Sequence, residues 1–157
     1  MQNFEIERKF LVRGDAWKAA ATEATRIAQA YLRTDGDATV RVRVREGRPA
    51  TLTVKSQAAG LTRLEFEYEI PQADAEALFA LRQGAIVEKV RHQVPVDGLV
   101  WEVDVFEGAH AGLVIAEVEL ASPTQAITLP PWAGPEVTGD PAYYNNALAR
   151  GEMPPRS

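Results

Sequence analysis

Charged and apolar residues alternate along several stretches of this chain, and that alternation limits the folds available to it. Arg41, Arg43 and Arg45 are separated by single valines. Side chains of a β-strand point alternately to its two faces, so each such stretch predicts one charged and one apolar face. The pattern recurs in EIERKF (5–10), LEFEYEI (64–70), EKVR (88–91), WEVDVF (101–106) and AEVEL (116–120). The predicted fold class is α+β, dominated by antiparallel strands with one strongly charged face.

Turn residues divide the chain into strands. Asp97-Gly98 between two alternating runs predicts a hairpin. Further turns are predicted at 35–37, 47–49, 59–60 and 108. We predict strands over 3–13, 26–33, 38–47, 50–57, 61–70, 85–96, 99–107 and 112–121. The stretch 26–33 is interpreted as a strand because its apolar residues form no helical stripe.

Helical signals are few and short. Helices are predicted over 72–83, over 15–21 with Asp15 as N-cap, and over 142–150 with Gly151 as the stop. The segment from Pro123 to about residue 140 is rich in proline and glycine and predicts irregular structure. The final MPPRS is predicted to be a frayed tail.

Composition places the chain among ordinary globular proteins. Its 157 residues are 46% apolar and 25% charged, and we predict one domain over 1–157. There is no cysteine, which excludes disulfides and zinc–thiolate sites. The net charge of −5 disfavours a general nucleic-acid binder, and no stretch is long and apolar enough to span a membrane. We therefore expect a cytoplasmic protein with neither a nucleic-acid nor a membrane partner.

The charged strand faces can be pooled into one set. A sheet with its charged face in water is the common explanation of such alternation. Three features favour an enclosed lumen instead: the face is almost entirely charged, like signs are paired along strands, and so many strands invite closure into a barrel. The set has eight bases and nine acids: Glu5, Glu7, Lys9, Arg41, Arg43, Arg45, Lys55, Arg63, Glu65, Glu67, Glu69, Lys89, Arg91, Glu102, Asp104, Glu117 and Glu119.

The charged residues of such a lumen indicate which kind of ligand it would bind. Inward-pointing Arg and Lys side chains suit a polyanion, because the guanidinium fork binds phosphate oxygens in pairs. Clustered carboxylates suit a hard cation, Mg²⁺ or Mn²⁺. The two sets together predict a metal–polyphosphate complex. His92 lies on an apolar strand face and His110 in a turn, so both are assigned structural roles.

The ordered motifs resemble those of the CYTH superfamily, the triphosphate tunnel metalloenzymes. EIERKF carries that family's ExExK signature, and RVRVR (41–45), TVKS (53–56), LEFE (64–67), EKVR (88–91), WEVDVF (101–106) and AEVEL (116–120) follow in order. The resemblance implies an eight-stranded antiparallel β-barrel with a charged lumen, short helices outside and a C-terminal helix near the tunnel. It also implies a bound triphosphate and a divalent metal.

The resemblance implies a role for each motif residue. The metal carboxylates would be Glu5, Glu7, Glu117 and Glu119, with Glu65, Glu67, Glu102 and Asp104 as supporting acids. Lys9, Arg41, Arg43, Lys55, Lys89 and Arg91 would bind phosphates, and Glu7, Lys9 and Lys89 would be catalytic. Arg45 and Arg63 rank below these because they lie nearer strand ends. Tyr143 matches a family Tyr-x-Asn pattern, and both a tunnel-plugging and a packing role stay open for it.

The function that the resemblance implies is metal-dependent hydrolysis of a triphosphate, foremost inorganic tripolyphosphate to pyrophosphate and phosphate. Three alternatives stay open: a thiamine triphosphatase, a class IV adenylyl cyclase-like enzyme and a non-catalytic polyphosphate-binding module. Trp17, Trp101 or Trp132 could stack on a thiamine ring, although packing is the commoner role of tryptophan. The expected partner is the small triphosphate substrate, and a homodimer stays open as the assembly.

Overall fold

Nine strands and two short α-helices make up the protein in this computed structural model, which describes residues 4–57 and 61–156. The eight predicted strands are confirmed, with ends that differ by at most three residues. The predicted turn at 59–60 lies outside the described residues. The elements are β1 (Phe4–Val12), β2 (Glu23–Arg33), β3 (Ala38–Arg45), β4 (Ala50–Ser56), β5 (Thr62–Ile70), α1 (Gln72–Phe79), β6 (Gln83–Val96), β7 (Leu99–Phe106), β8 (Val114–Glu119), β9 (Ala133–Glu136) and α2 (Asn145–Ala149).

The strands form a closed antiparallel barrel. Neighbours follow the order β5-β4-β3-β2-β6-β7-β8-β1, and β1 also pairs with β5, which closes the circle. This is possible because β1 changes partners along its length: Phe4–Ile6 pairs with β5 and Glu7–Leu11 with β8. The predicted eight-stranded barrel is therefore confirmed. The short strand β9, which was predicted to be irregular, adds to β1 at Phe10 and Val12.

The outward apolar faces are covered by the connecting segments. Trp101 is fully buried between Phe10 and Trp132, with ring centroids 5.4 and 5.5 Å away. A 3-10 turn over Ala16–Ala20 adds the buried Trp17 to this cluster. Helix α1 covers another part of the wall through Ala75, with Leu78 and Phe79 packed beside it. Short helices thus lie outside the barrel, as predicted.

One part of the barrel interior is apolar, contrary to the prediction of a charged face throughout. Near the end of β1 and the start of β8, the inward positions next to the charged residues carry apolar side chains. These pack against Leu148 and Ala149 of α2. The inward apolar residues are Leu11, Val87, Phe106 and Ile115. Charge is therefore confined to the remainder of the lumen, and α2 is held at this end by hydrophobic burial.

Several local predictions are corrected. Helix α1 ends at Phe79, four residues before the predicted end at Gln83, and Asp15 makes no side-chain cap. The predicted helix over 142–150 is split at Tyr144, whose extended backbone separates a 3-10 turn from α2. Gly151 follows α2 with a positive φ of 91°, as a helix stop requires.

The C-terminal tail is packed, and the prediction that it is frayed is wrong. Pro154 is buried, and the Tyr143 hydroxyl donates a 2.7 Å hydrogen bond to the Pro155 carbonyl. None of the helices within 4–57 and 61–156 is long and apolar enough to cross a membrane.

Deleting residues 152–157 should lower the melting temperature because the buried Tyr143 hydroxyl would lose its acceptor. We expect a fall of roughly 3–8 °C, at about 2–4 °C per kcal/mol for a chain of this size. The matched variant Tyr143→Phe removes the same hydrogen bond and leaves the tail in place, so its fall should be smaller. Differential scanning calorimetry measures both, and an unchanged midpoint in the truncated chain would contradict the packing of the tail.

Candidate active site

The lumen is a polar cavity of about 170 Å³ to which all eight barrel strands contribute side chains. Direct partners in an antiparallel pair share a face, so the register brings the inward residues of neighbouring strands together. Thirteen of the fourteen predicted site residues line the cavity: Glu5, Glu7, Lys9, Arg41, Arg43, Lys55, Glu65, Glu67, Lys89, Arg91, Glu102, Glu117 and Glu119. The fourteenth, Asp104, is fully buried beneath them.

Two arginines on β3 are buried, and not all of their hydrogen-bond donors have acceptors. Arg41 and Arg43 are only 7% and 8% exposed. Arg41 donates from one terminal nitrogen to Thr53 at 3.3 Å, while its buried Nε has no hydrogen-bond acceptor. Burial lowers the pKa of Arg43 to about 9, with the charges of Arg41 and Arg91 acting in the same direction. An anion entering the lumen would relieve both effects.

Asp104 holds the two basic side chains of β6. Its carboxylate accepts from Lys89 Nζ at 2.6 Å and from Arg91 Nε at 2.7 Å. Burial acts against the charge of Arg91, but Asp104 more than compensates and holds the Arg91 pKa well above its ordinary value. For Lys89 burial prevails, and its pKa falls to about 7 in spite of Asp104. The Lys89 amine therefore changes protonation near neutral pH.

The acidic side of the lumen lies on β1 and β8. Glu7 is the direct cross-strand partner of Glu119, and Lys9 is the partner of Glu117. Lys9 Nζ lies 3.8 Å from Glu7 and 3.5 Å from Glu117, so one ammonium serves two carboxylates. Burial, followed by the charge of Glu117, raises the pKa of Glu7 well above its ordinary value. Negative charge on this side is thus only partly compensated.

A third group joins β1, β4 and β5. Lys55 Nζ lies 2.7 Å from Glu5 and 3.5 Å from Glu65. Burial, followed by the neighbouring Glu5, raises the pKa of Glu65 to about 7. The pKa of Glu5 is lowered because Glu65 and Lys55 outweigh its burial. Glu65 is therefore the carboxyl of this pair that binds a proton more readily.

The described carboxylates do not form a complete metal cage. Within 4–57 and 61–156, no three Asp, Glu or His side chains converge closely enough to hold an ion by themselves. The donor chemistry nevertheless suits a hard cation, because Glu7 and Glu119 both have pKa values raised by burial and by neighbouring carboxylates. The site fits a metal that shares its coordination with phosphate oxygens and water.

The alternation of charges missed the neutral lining residues. These are Tyr31, Thr39, Tyr144, Asn145 and Asn146, and Arg63, ranked low from the sequence, also lines the cavity. Tyr144, not Tyr143, faces the lumen: its ring lies 5.3 Å from Lys9 Nζ and 4.9 Å from the Arg63 guanidinium carbon. Tyr143 packs in the apolar cluster at α2. The adjacent Tyr143-Tyr144-Asn145 gave no signal for choosing between the two tyrosines.

The three tryptophans and the two histidines lie away from the cavity. Trp17, Trp101 and Trp132 are at most 7% exposed and belong to the outer apolar cluster, so the stacking role considered for them is wrong. His110 Nε2 lies 2.8 Å from the Leu148 carbonyl, and His92 packs edge-on to Trp17.

This protein is of the class of closed antiparallel β-barrels whose lumen carries bases mainly on one side and acids mainly on the other. The chain belongs to the CYTH domain family, whose profile matches residues 3–144. It is 46% identical over 147 residues, 93% of each chain, to a protein of Acetivibrio thermocellus named inorganic triphosphatase. A Nitrosomonas europaea protein of the same name is 40% identical over 149 residues, which is 92% of this chain and 96% of that one.

A solved structure shares the fold. The crystal structure of an inorganic triphosphatase superposes with a TM-score of 0.68 at 37% identity, and the match covers 96% of this chain and 97% of that one. The family resemblance read from the ordered motifs is therefore confirmed.

Glu65→Gln should flatten the pH dependence of stability in metal-free buffer. The folded-state pKa of Glu65, about 7, exceeds its ordinary value of 4.5, so the folded protein keeps a proton that the unfolded chain releases. That stabilisation is complete below pH 4.5 and is lost as the pH rises to about 7. Thermal melts between pH 5 and 7 should decline less in the variant than in the parent. Glu76→Gln on the exposed side of α1 is the control, and an equal slope in all three proteins would contradict the raised pKa of Glu65.

Proposed function

We propose that this protein is a metal-dependent hydrolase that cleaves inorganic triphosphate into pyrophosphate and phosphate. The observation that carries the proposal is the division of the lumen into a basic wall with unpaired donors and an acidic wall with undercompensated carboxylates. The two relatives named inorganic triphosphatase span nearly the whole chain and support the same activity.

The basic side chains would bind and orient the phosphate chain. Arg41, Arg43, Lys55, Lys89 and Arg91 project from β3, β4 and β6, so they would surround a linear anion from several directions. Asp104 fixes Lys89 and Arg91 in the metal-free protein and limits the reorganisation that binding would require. Arg63 lies at the edge of this group, stacked on Tyr144.

The carboxylates of Glu5, Glu7, Glu117 and Glu119 would hold Mg²⁺ or Mn²⁺ together with phosphate oxygens. When bound, the metal supplies positive charge at the reacting phosphoryl group and at the leaving pyrophosphate. Glu65, Glu67 and Glu102 would orient water and the neighbouring bases. Lys9 would move from its two carboxylates toward substrate as the metal takes over their negative charge.

Hydrolysis balances as one displacement at the terminal phosphorus. A water oxygen forms the new P–O bond and gives up one proton to solvent, the bond to the bridging oxygen breaks, and pyrophosphate leaves with that electron pair. Glu7, Lys9 and Lys89 are the proposed catalytic residues. Lys89 can exchange a proton near neutral pH because burial has lowered its pKa to about 7.

The alternatives are less well supported. The three tryptophans considered as a platform for the thiamine of thiamine triphosphate all lie outside the lumen. A module that only binds anions would be weakened by so many inward carboxylates. The single domain over 1–157, the cytoplasmic location, the homodimer and the lack of a nucleic-acid partner stay predictions.

Phosphate release measured over tripolyphosphate, ATP and thiamine triphosphate tests the proposed function. We expect turnover with Mg²⁺ or Mn²⁺, greatest on tripolyphosphate, and no turnover in EDTA. Ca²⁺ should bind and support little hydrolysis, because its looser coordination positions the reacting groups poorly. Full activity after exhaustive chelation would overturn the metal assignment, and no release from any of the three compounds would overturn the hydrolase.

Substitutions should separate substrate binding from metal binding. Arg43→Ala deletes a buried guanidinium and should raise KM for tripolyphosphate about 10-fold to 100-fold, as the loss of charged hydrogen bonds does. Glu7→Gln keeps the shape but removes charge and should lower kcat about tenfold or more. The controls Arg26→Ala and Glu107→Gln break an exposed ion pair outside the lumen and should retain parental kinetics. Parental kinetics in Arg43→Ala and Glu7→Gln would contradict the assigned roles.

A further inference from the structure

Two uncharged amide side chains connect the basic residues of the lumen. Asn145, the first residue of α2, accepts a hydrogen bond at 2.9 Å from Lys89 Nζ through its Oδ1. The same oxygen accepts from Gln29 Nε2. Gln29 Oε1 in turn accepts from Arg43 Nε at 2.9 Å. The result is a continuous chain from Lys89 through Asn145 and Gln29 to Arg43.

Gln29 makes its contacts with Arg43 and Asn145 from a buried position on β2. It lies on β2 directly opposite Arg43 of β3 and Val87 of β6, and it is fully buried. Burying an amide is unfavourable unless its polar atoms are paired, and here both ends of the side chain have partners. Apolar Ile27 precedes it on the same strand face, so the amide is an exception within its surroundings.

Helix α2 is fixed from several sides, and this fixes Asn145. Leu148 and Ala149 are buried in the apolar end of the barrel. Asn146 Nδ2 and an Arg150 terminal nitrogen both donate to the Thr34 carbonyl, at 2.7 and 2.9 Å. The side chain of Asn145 therefore enters the lumen from an anchored backbone.

The amides hold two cations that repel each other. The Arg43 charge acts to lower the pKa of Lys89, so the two groups interact through the lumen. A carboxylate between them would repel an incoming phosphate, whereas an amide oxygen accepts hydrogen bonds without a net charge. Lys89 donates one N–H to Asp104 and one to Asn145, and its third N–H remains available for substrate. Arg43 donates from its Nε to Gln29, and both of its terminal nitrogens remain available for phosphate oxygens.

We propose that Gln29 and Asn145 are positioning residues that aim Arg43 and Lys89 at the triphosphate, an inference that rests on the proposed function. The two amides act through those cations and need no contact with substrate. Their loss leaves the charge of the lumen unchanged, so attraction of the anion persists while its alignment is lost.

The test is steady-state kinetics on tripolyphosphate with Asn145→Leu, which removes the accepting oxygen and keeps the branched shape of the side chain. We expect kcat to fall about tenfold or more while KM changes less than about threefold, since misalignment by about 1 Å costs up to about 100-fold. Asn145→Asp keeps the accepting oxygen and should recover most of kcat, with a higher KM because its charge repels substrate. A parental kcat in Asn145→Leu, or an equal loss in the Leu and Asp variants, would overturn the proposal.

A double-mutant comparison tests whether the amides act together. Gln29→Leu should resemble Asn145→Leu, and the double variant should lose little more kcat than either alone, because one broken contact disables the chain. Arg150→Gln is the control for helix stability: it removes one of the two hydrogen bonds to the Thr34 carbonyl, while Asn146 and the apolar contacts of α2 keep Asn145 in place. The melting temperature should fall with kcat within about twofold of the parent. A kcat loss in Arg150→Gln as large as that in Asn145→Leu would assign the effect to docking of α2 instead.

Failure of the proposed function and failure of the positioning role give different results. A parent protein that releases no phosphate overturns the proposed function. A parent that is active, with an equally active Asn145→Leu variant, overturns the positioning role alone.

Discussion

The structure depends on the way β1 pairs with two different neighbours on its two sides. Because its first residues pair with β5 and the following ones with β8, the sheet closes on itself and has no free edge between those strands. Closure turns one face of every strand inward. Fourteen charged side chains that an open sheet would expose to water thereby line one confined space, where their charges interact strongly.

The charged side chains of β6 are well paired with an opposite charge, whereas charge pairing elsewhere in the lumen is incomplete. Asp104 satisfies Lys89 and Arg91 together, whereas Lys9 is divided between two carboxylates and Arg41 keeps an unpaired Nε. The remaining imbalance has opposite signs on opposite walls. A metal–triphosphate complex carries the matching charges in one ligand, so the pattern of residual charge describes the ligand better than any single residue does.

Much of the barrel and most of the lumen could be predicted from the sequence, because strict alternation fixes which side chains share a face. The exceptions have physical reasons. Strand β9 is four residues long and contains glycine and proline, so it forms only because β1 offers it an edge. Gln29 is uncharged, and nothing local distinguishes it from a surface amide, whereas Asn145 belongs to the Tyr-x-Asn pattern that the family resemblance indicated. The packing of the C-terminal tail depends on Tyr143, whose tertiary partner no local pattern specifies.

Barrel closure also has a consequence for how the chain folds as it is made. The acids of β1 precede those of β8 along the chain, and the strand partner of Glu7 is Glu119, 112 positions later. Until β8 has been synthesised, β1 has only part of its hydrogen-bonded neighbours, and Glu7 and Lys9 lie outside any lumen. Such long-range pairing slows folding, because loop closure must precede the contacts that stabilise it. The nascent chain must therefore keep β1 incompletely paired until β8 is made, and the charges of Glu5, Glu7, Arg8 and Lys9 disfavour premature association of its edge.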